Sequence, residues 1–445
     1  MVNVTALAGV LQTLLTTTAN ELARATKLVK RQRNLSGADW VQTLVFGYLE
    51  NPSASVEALS EWAADHDLTI SPQGLDEWFC AEGVECLKQL APRVVGVLVE
   101  TQPAAVPLLE RFNGVYVEDG TSVPLPPGLE GTYPGSGGND PKGRDRAAIK
   151  FYVRSEVHRG HVSDLSIGPG KQADVTAAQE APRLPEGALR LKDLGYFDTQ
   201  LLAADTAAGV WWINRLPSNV SIRVGDEPSV RPLAAWLKEQ TADTLEVAVH
   251  VGTEYPVACR LLVTRCPEEV RQKRLRQLEK RARKKGRAVS DRQRVLCAWT
   301  VLITNLSAEQ LTLEEAWVLY RTRWQIELLF KLWKSQGRLA QALGHRDERV
   351  LCEVLAKLVA VLVQHWLLLL AGPLLEPRSP KKRLGVIRRR LDRIVTALHD
   401  LARLAEELDR LQQRLRRLRR RNRRKKKPST WELLNDPKLA NLRLS

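Results

Sequence analysis

The segment that most constrains this chain covers residues 320–334, YRTRWQIELLFKLWK, which predicts one amphipathic helix. Four polar residues stand at offsets of 0, 3, 7 and 14 and fall within roughly 60° of one another, namely Tyr320, Arg323, Glu327 and Lys334. Apolar side chains on the other faces predict that the helix packs against a core. A carboxylate framed by cations suits phosphate or metal binding. The alternative is a surface helix with ordinary ion pairs three and four residues apart.

The spacing Tyr-x2-Arg-x3-Glu-x6-Lys resembles the signature of the insertion sequence four family of bacterial transposases. In that family the glutamate is the last of three metal-binding acids, the DDE triad. The resemblance therefore implies that Glu327 is one metal ligand and that two aspartates precede it.

Two upstream segments resemble the blocks that carry those aspartates. Residues 115–119 read as a short strand that runs into Asp119-Gly-Thr, and residues 189–193 read as a strand that ends at Asp193-Leu-Gly-Tyr-Phe. The nearest alternative acids are Glu118 and Asp198, which we expect on another face or beyond the strand. The resemblance thus implies a triad of Asp119, Asp193 and Glu327.

The resemblance extends from about residue 114 to residue 334 and includes a hairpin over residues 148–167 and a strand within residues 209–217. Strands first and helices later, with acids at strand ends, suit a ribonuclease H-like α/β core. Asp193 and Glu327 are 134 residues apart, too far for a compact core, and the strands predicted between them indicate a β-rich insertion.

The predicted fold class is therefore α/β, with a ribonuclease H-like catalytic core and a β-rich insertion, flanked by an all-α N-terminal domain and a basic α-helical C-terminal arm. The expected parts are a helical DNA-binding domain (1–105), the core's first part (106–216), the insertion with a basic helix (217–295), the core's second part (296–375) and the arm (376–445).

The N-terminal region shows helical spacing of apolar residues, with Ser55 as a candidate N-cap of one helix and Ser71-Pro72 opening the next. Two helices with a short connection indicate a helix-turn-helix unit. A plain helical bundle explains the same pattern, so both interpretations stay open.

The positive charge of the chain is concentrated in the arm. Residues 378–427 hold 21 Lys and Arg against 5 Asp and Glu, which accounts for the whole net charge of +16. Apolar residues from Ile387 to Leu408, Ala405 among them, follow alternating steps of four and three, which predicts an amphipathic helix from Arg383 with a coiled-coil-like seam. Nucleic acid is the expected partner of the cations, and the alternative is a solvated helix laid on its own domain.

Other features exclude several classes of protein. Six cysteines without CxxC spacing predict free thiols rather than a disulfide framework or zinc finger. The first residues lack a basic export region, and the apolar residues 351–375 include four polar ones, which favours a buried core helix over a membrane span. We expect a cytoplasmic protein of the bacterial nucleoid, with no membrane partner.

The resemblance implies a mechanism with two Mg²⁺ ions, for which Mn²⁺ substitutes. Asp119 bridges both ions in this scheme, and Asp193 and Glu327 each complete one. Arg323 and Lys334 hold phosphates near the transposon end, while Tyr320 positions a phosphate or sugar. Three tryptophans are candidates to stack on an unpaired base, although each also suits a core: Trp211, Trp212 and Trp324.

The function predicted from the sequence is cut-and-paste transposition: the protein binds double-stranded DNA, hydrolyses the ends of an insertion sequence and joins the freed 3′-hydroxyls to target DNA. The resemblance also suggests a DNA hairpin intermediate and a homodimer that processes two ends. The alternatives are a ribonuclease H-like nuclease without strand transfer and a transposase-derived DNA-binding protein without chemistry.

Overall fold

The computed structural model describes residues 3–31, 35–96, 103–136, 146–284, 286–418 and 428–437, and it has a mixed α/β architecture. The strands are β1 (Val115–Leu125), β2 (Ala147–Glu156), β3 (Val162–Pro169), β4 (Leu189–Lys192), β5 (Trp211–Arg215), β6 (Ser221–Val224), β7 (Arg231–Pro232), β8 (Thr244–Val251), β9 (Val257–Arg265) and β10 (Trp299–Thr304).

The α-helices are α1 (Val4–Thr13), α2 (Ala19–Ala25), α3 (Gly37–Glu50), α4 (Val56–Ala64), α5 (Pro72–Asp76), α6 (Ala81–Gly96), α7 (Pro107–Glu110), α8 (Asp174–Glu180), α9 (Thr199–Ala207), α10 (Leu233–Lys238), α11 (Glu268–Lys284), α12 (Asp291–Cys297), α13 (Leu313–Thr322), α14 (Trp324–Gln336), α15 (Asp347–Leu369), α16 (Pro380–Arg388), α17 (Leu391–Thr396), α18 (Leu401–Arg416) and α19 (Thr430–Asn435).

The chain forms two compact units, and each is built from segments that are distant in sequence. The first unit contains residues 1–104, 119–173 and 325–422, and the second contains residues 105–118, 174–324 and 423–445. The division falls within β1, between Glu118 and Asp119, and at the start of α14, between Trp324 and Gln325.

The first unit is organised around α15, which packs against α3 and α6. This helix is long and apolar enough to cross a membrane by composition, but its apolar stretch is completely buried inside the unit, as in a soluble protein's core helix. The prediction of a buried helix in this region is therefore confirmed. In the same unit β2 and β3 form the expected antiparallel hairpin, and β3 packs against α6.

Two predicted N-caps of the first unit are confirmed. The Ser55 side chain accepts a hydrogen bond from the backbone of Ala58, and Ser71 does the same for Gly74. The helix that follows Ser71 is only the single turn α5, with five residues. A recognition helix must be longer to enter a groove, so the plain bundle describes this region better than a helix-turn-helix.

The prediction of one continuous amphipathic helix in the arm is wrong. The described part of the arm forms four separate helices, α16 to α19, and α18 packs on α1 while contacting α16 and α17. Most of the apolar seam is buried in the first unit, with Ile387, Ile394 and Leu408 at 0–1% exposure, although Leu401 is 41% exposed. The apolar residues spaced three and four apart therefore pack these helices against the rest of the first unit. Residues 419–427 of the basic run lie outside the described residues.

The second unit contains a mixed sheet with the strand order β1-β4-β5-β10-β9-β8-β6-β7. Its first three strands are parallel, and β5, β10, β9, β8, β6 and β7 pair antiparallel in turn. The strands predicted for the insertion and the basic helix after them are present as β6, β8, β9 and α11. Their inner faces pack with α9 and α10 around Trp212, Leu261 and Ile303.

The segment 320–334 is divided between two helices, so the prediction of one continuous helix is wrong. α13 ends at Thr322 and α14 begins at Trp324, with Arg323 as the C-cap of α13. The Thr322 hydroxyl donates to the carbonyl of Leu319 at 2.6 Å, and such local bonds compete with the helical pattern. The predicted apolar packing also fails at Trp324 and Leu328, which are 56% and 46% exposed.

Candidate active site

Asp193 lies where the sequence predicts, directly after β4. It is the N-terminal flanking residue of a 3₁₀ turn formed by residues 194–196, and its side chain is 38% exposed. Since β4 is buried along its whole length, the chain leaves the core at this carboxylate. Asp193 therefore stands at the solvent end of a rigid strand.

Two residues of the predicted motif contact Asp193 within the second unit. The Tyr320 hydroxyl lies 3.2 Å from the carbonyl oxygen of Lys192 and 3.4 Å from Asp193 Oδ1. Burial raises the pKa of Tyr320, and the Asp193 carboxylate raises it further. Arg323 Nη1 lies 3.8 Å from Asp193 Oδ2. The C-terminal end of α13 thus presents a neutral phenol and a guanidinium to this acid.

The other predicted residues lie in the first unit. Asp119 is half-buried, and its Oδ1 accepts a hydrogen bond from the backbone of Gly120 at 2.8 Å. Lys334 donates to the carbonyl of Ser122 at 3.1 Å, so α14 is tied to the strand segment that follows Asp119. Partial burial lowers the pKa of Lys334. Glu327 is half-buried and lies two turns before Lys334 on α14.

Glu118, the first alternative acid, belongs to a buried charge cluster in the second unit. Its carboxylate lies 3.4 Å from Lys192 Nζ and 3.8 Å from Arg190 Nε, and Arg190 Nη1 lies 2.9 Å from Asp205 Oδ2. All four side chains are less than 10% exposed. Burial lowers the pKa of Lys192 to about 8, while the Glu118 carboxylate opposes that shift. Glu118 therefore balances buried cations instead of facing a substrate.

The sequence analysis missed this buried cluster. Its signal is the alternation Arg190-Leu-Lys192 on a buried strand, which places two cations on one face of β4. Two cations on a core face require anions nearby, because an unpaired buried charge is very costly. Glu118 on the neighbouring strand meets that need.

Asp198, the second alternative acid, caps a helix. Its side chain accepts a hydrogen bond from the backbone of Leu201 at 2.9 Å at the start of α9, and Gln179 Nε2 lies 3.2 Å from its other oxygen. Both alternative acids thus have structural partners. Asp119 and Asp193 are both partly exposed. Asp193 directly follows β4, but the prediction that a short strand runs into a turn at Asp119 is wrong, because β1 continues without a turn to Leu125.

The candidate stacking residues differ in exposure. Trp212 is a core residue at 1% exposure, and its indole nitrogen donates to the Thr206 hydroxyl. Trp211 is half-buried on β5, whereas Trp324 is 56% exposed beside Arg323. Of the three tryptophans, only Trp324 is exposed, so it does not occupy the core position that was the alternative for each of them.

The predicted metal ligands are divided between the units, with Asp119 and Glu327 in the first and Asp193 in the second. Over the described residues, no three His, Cys, Asp or Glu side chains are grouped closely enough to hold a metal ion. The shared metal site of the three acids therefore stays a prediction.

Comparison with known proteins decides the family. Residues 110–363, more than half of the chain, match the transposase DDE domain. The chain belongs to the DDE transposases. The matched range contains all six predicted site residues, so the resemblance drawn from the Tyr-Arg-Glu-Lys spacing is confirmed at the level of the family.

Individual transposases are similar along most of their length. The transposase for insertion sequence element IS231F of Bacillus thuringiensis subsp. israelensis is 30% identical over 363 residues, which covers 77% of this chain and 75% of the relative. The transposase for IS231B of B. thuringiensis subsp. berliner is 27% identical, with 77% and 75% covered. The transposase for IS1151 of Clostridium perfringens is 25% identical, with 77% and 76% covered.

Proposed function

We propose that this DDE transposase excises an insertion sequence by hydrolysing the phosphodiester bonds at its two ends and then joins the freed 3′-hydroxyls to target DNA. The proposal assigns metal binding to Asp119, Asp193 and Glu327. It assigns contacts with the DNA backbone to Tyr320, Arg323 and Lys334.

The observation that carries this proposal is the parallel register of β1 and β4. Val117 pairs with Leu191 in the second unit, so the next residues along the two strands are Glu118 and Lys192, which form the buried ion pair. Asp119 and Asp193 directly follow that pair in the sequence. The register supports the choice of the two aspartates that directly follow this matched pair, and the proposal that they share one metal site rests on the match to the transposase DDE domain.

Glu327 is connected to the same region through the chain. Tyr320 and Arg323 contact Asp193, and Glu327 follows Arg323 by four residues. Arg323 and Glu327 are only four positions apart, and both belong to the Tyr-Arg-Glu-Lys spacing inside the matched transposase DDE domain. This short connection supports Glu327 as the third ligand.

The three acids fit magnesium by their chemistry. All three donors are carboxylates, and hard oxygen ligands are the ones that Mg²⁺ prefers. None of the three is fully buried, so an ion and a phosphate can both approach. A bound pair of Mg²⁺ ions would supply charge for the attacking and leaving oxygens of an in-line displacement, and Mn²⁺ would substitute.

The remaining residues orient the acids and the substrate. In the structure Arg323 and Tyr320 hold Asp193 in place, and we assign Arg323 a second role toward a phosphate once the carboxylate is engaged. Lys334 fixes the backbone after Asp119 through Ser122, and its ammonium also attracts phosphate. The same side chains therefore serve both the geometry of the acids and the binding of DNA.

The architecture supports the same proposal. The first unit pairs β3 with β2 and β2 with β1, and the second unit orders β1, β4 and β5 as parallel neighbours. This order and the position of the acids support a ribonuclease H-like core with β6 to β9 as the insertion. We further propose that residues 1–105 bind the element ends and that a homodimer acts on two ends. Because most of the leucine seam is buried inside the first unit, we assign the dimer contacts to other surfaces.

Cleavage of the DNA that flanks the gene tests the proposal. Wild-type protein with Mg²⁺ should nick duplexes that carry the element ends and should join them to a target plasmid. Asp119→Asn, Asp193→Asn and Glu327→Gln should each abolish both reactions. Cleavage without joining would indicate a nuclease, and metal-independent binding without cleavage would indicate a DNA-binding derivative.

Asp198→Asn provides a matched control. Asparagine is as good an N-cap as aspartate, so this variant should fold and cleave like the wild type. If the Asp198 variant lost cleavage and the Asp193 variant kept it, our choice of the second acid would be incorrect.

A further inference from the structure

Helix α11 of the second unit presents a concentrated basic surface that none of the roles above uses. Its 17 residues contain eight Lys and Arg against three Glu, and none of its described residues is buried. The helix follows β9 and contacts α12, so it is part of the insertion. The residues of α11 therefore do not belong to a hydrophobic core, and the role of its basic surface has to be sought elsewhere.

One side of α11 holds the helix in place. Arg274 donates to the carbonyl of Trp299 at 2.8 Å and to the Thr300 hydroxyl at 3.0 Å, where β10 begins. Leu275 and Leu278 are half-buried on the same side. The two hydrogen bonds of Arg274 and the two half-buried leucines hold this face of α11 against the second unit. The opposite face of the helix therefore points to solvent.

The opposite face carries what we call the basic stripe: Lys273, Arg276, Lys280, Arg283 and Lys284, all of them exposed. At about 100° per residue, the five lie within an arc of roughly 100°. The one other side chain of α11 in that arc, Glu269, is polar as well. The stripe therefore has no apolar component.

The acids of α11 do not neutralise the stripe: Glu269 alone lies within its arc, which leaves five cations against one carboxylate, and the other two acids have partners outside it. Glu268 pairs with Arg271 at 2.7 Å and also accepts from Gln272, and Glu279 lies 3.5 Å from Arg294 of α12. Among the described residues none of the five stripe cations forms a salt bridge. Their charge is thus left for a partner.

Such a stripe destabilises the free helix. Its members follow one another at spacings of three and four, and like charges at these spacings each cost about 0.2–0.5 kcal/mol. A polyanion would remove this repulsion. A membrane-surface helix would instead combine its cations with a large apolar face, which the stripe lacks.

We infer that the basic stripe of α11 grips the phosphates of duplex DNA without reading its sequence, as a contact additional to the catalytic residues; the inference rests on the proposed function. The stripe extends over twelve residues, from Lys273 to Lys284, which is a rise of about 16 Å. Duplex DNA carries one charge per 1.7 Å of axis, so roughly ten phosphates fall within that length. Lys and Arg on flexible stems can reach several of them at once.

The test measures binding of a short duplex of arbitrary sequence by fluorescence anisotropy, without divalent metal, between about 50 and 200 mM salt. The stripe variant is Lys273→Gln/Arg276→Gln/Lys280→Gln. The control variant removes three exposed cations from other positions of the same unit, Arg183→Gln/Lys238→Gln/Arg292→Gln.

Each phosphate contact contributes about 0.9 to the slope of log K against log salt, so the stripe variant should lose up to about 2.7 in slope relative to the control. Its melting temperature should stay equal or rise, because like-charge repulsion is removed. Vesicles of phosphatidylserine and phosphatidylcholine serve as an alternative anionic surface, and neither variant should alter their weak binding.

Equal slopes for the two variants would overturn the inference, and so would a loss of vesicle binding with DNA binding unchanged. Cleavage of element ends by the wild type in Mg²⁺ is measured in parallel. A wild type that fails to cleave counts against the proposed function, whereas equal slopes count only against the stripe.

Discussion

Replacing Lys357 with methionine should remove a rise in stability that the wild type shows at alkaline pH. Lys357 lies on α15 at 1% exposure, and its ammonium donates to the carbonyl of Gln341 at 2.5 Å and lies 5.0 Å from the centre of the Tyr48 ring. Gln341 belongs to the loop between α14, which carries Glu327, and α15. Lys357 therefore holds, through this hydrogen bond, the loop that follows the helix of the predicted ligand Glu327.

Burial lowers the pKa of Lys357 to about 8, and the Glu353 carboxylate opposes this shift while Arg338 adds to it. In the unfolded chain the pKa returns to about 10.4. Between these values the unfolded state binds more protons than the folded state, so stability rises with pH. At 1.36 kcal/mol per pKa unit, the gain between pH 7 and pH 10 is about 2.5 kcal/mol.

Urea unfolding at pH 7, 8, 9 and 10, followed by tryptophan fluorescence, measures this gain. Changes of packing and of the hydrogen bond to Gln341 alter the stability of the variant at every pH, but they do not alter its slope with pH. Lys381→Met removes the same charge from an exposed position and should leave the wild-type slope unchanged. If the free energy of unfolding of Lys357→Met rose with pH as steeply as that of the wild type, the argument that burial lowers the pKa of Lys357 would be refuted.

Three further predictions concern other parts of the two units. Tyr320→Phe should lose about 1 kcal/mol in a thermal melt and should slow cleavage, because Asp193 loses its hydroxyl contact; unchanged cleavage would leave Tyr320 a purely structural role. Leu408→Ala should lower the free energy of unfolding by about 2–5 kcal/mol, whereas Leu401→Ala should lower it by less than about 0.5 kcal/mol because Leu401 is 41% exposed. Equal unfolding midpoints for the two variants would mean that α18 does not pack on the first unit. Burial lowers the pKa of His365 to about 4, so wild-type stability should fall by about 3 kcal/mol as pH drops from 6.5 to 4, and His365→Gln should flatten that fall; parallel curves would contradict it.

The sequence predicted the strands of this protein better than its helix ends. The strand that precedes Asp193, the hairpin of β2 and β3 and the strands of the insertion all appear where apolar runs and turn residues placed them. The break between Tyr320 and Glu327 was not predictable from spacing, because it depends on the Thr322 hydroxyl bond and on where the two units divide. The apolar periodicity of a single helix carries no information about a side-chain hydrogen bond or about a boundary between units.

The leucine seam shows the same limit from another direction. Steps of three and four place apolar residues on one face of a helix whether that face meets a second copy or the chain's own core. In the structure α18 packs on α1, and Gln12 of α1 donates to the carbonyl of Leu398 just before it. Short helices with breaks after Arg388 and Thr396 favour this intramolecular docking, since a coiled coil requires several uninterrupted heptads.

Neighbouring carboxylates on β1 show which part of a site can be read from a sequence. Side chains alternate between the faces of a strand, so Glu118 and Asp119 must point in opposite directions. Only one can face the core, and the buried Arg190 and Lys192 on the adjacent strand determine that it is Glu118. The partly exposed partner, Asp119, is then the acid able to meet a metal and a phosphate. Alternation and charge balance therefore select the candidate ligand on physical grounds, independently of the family resemblance.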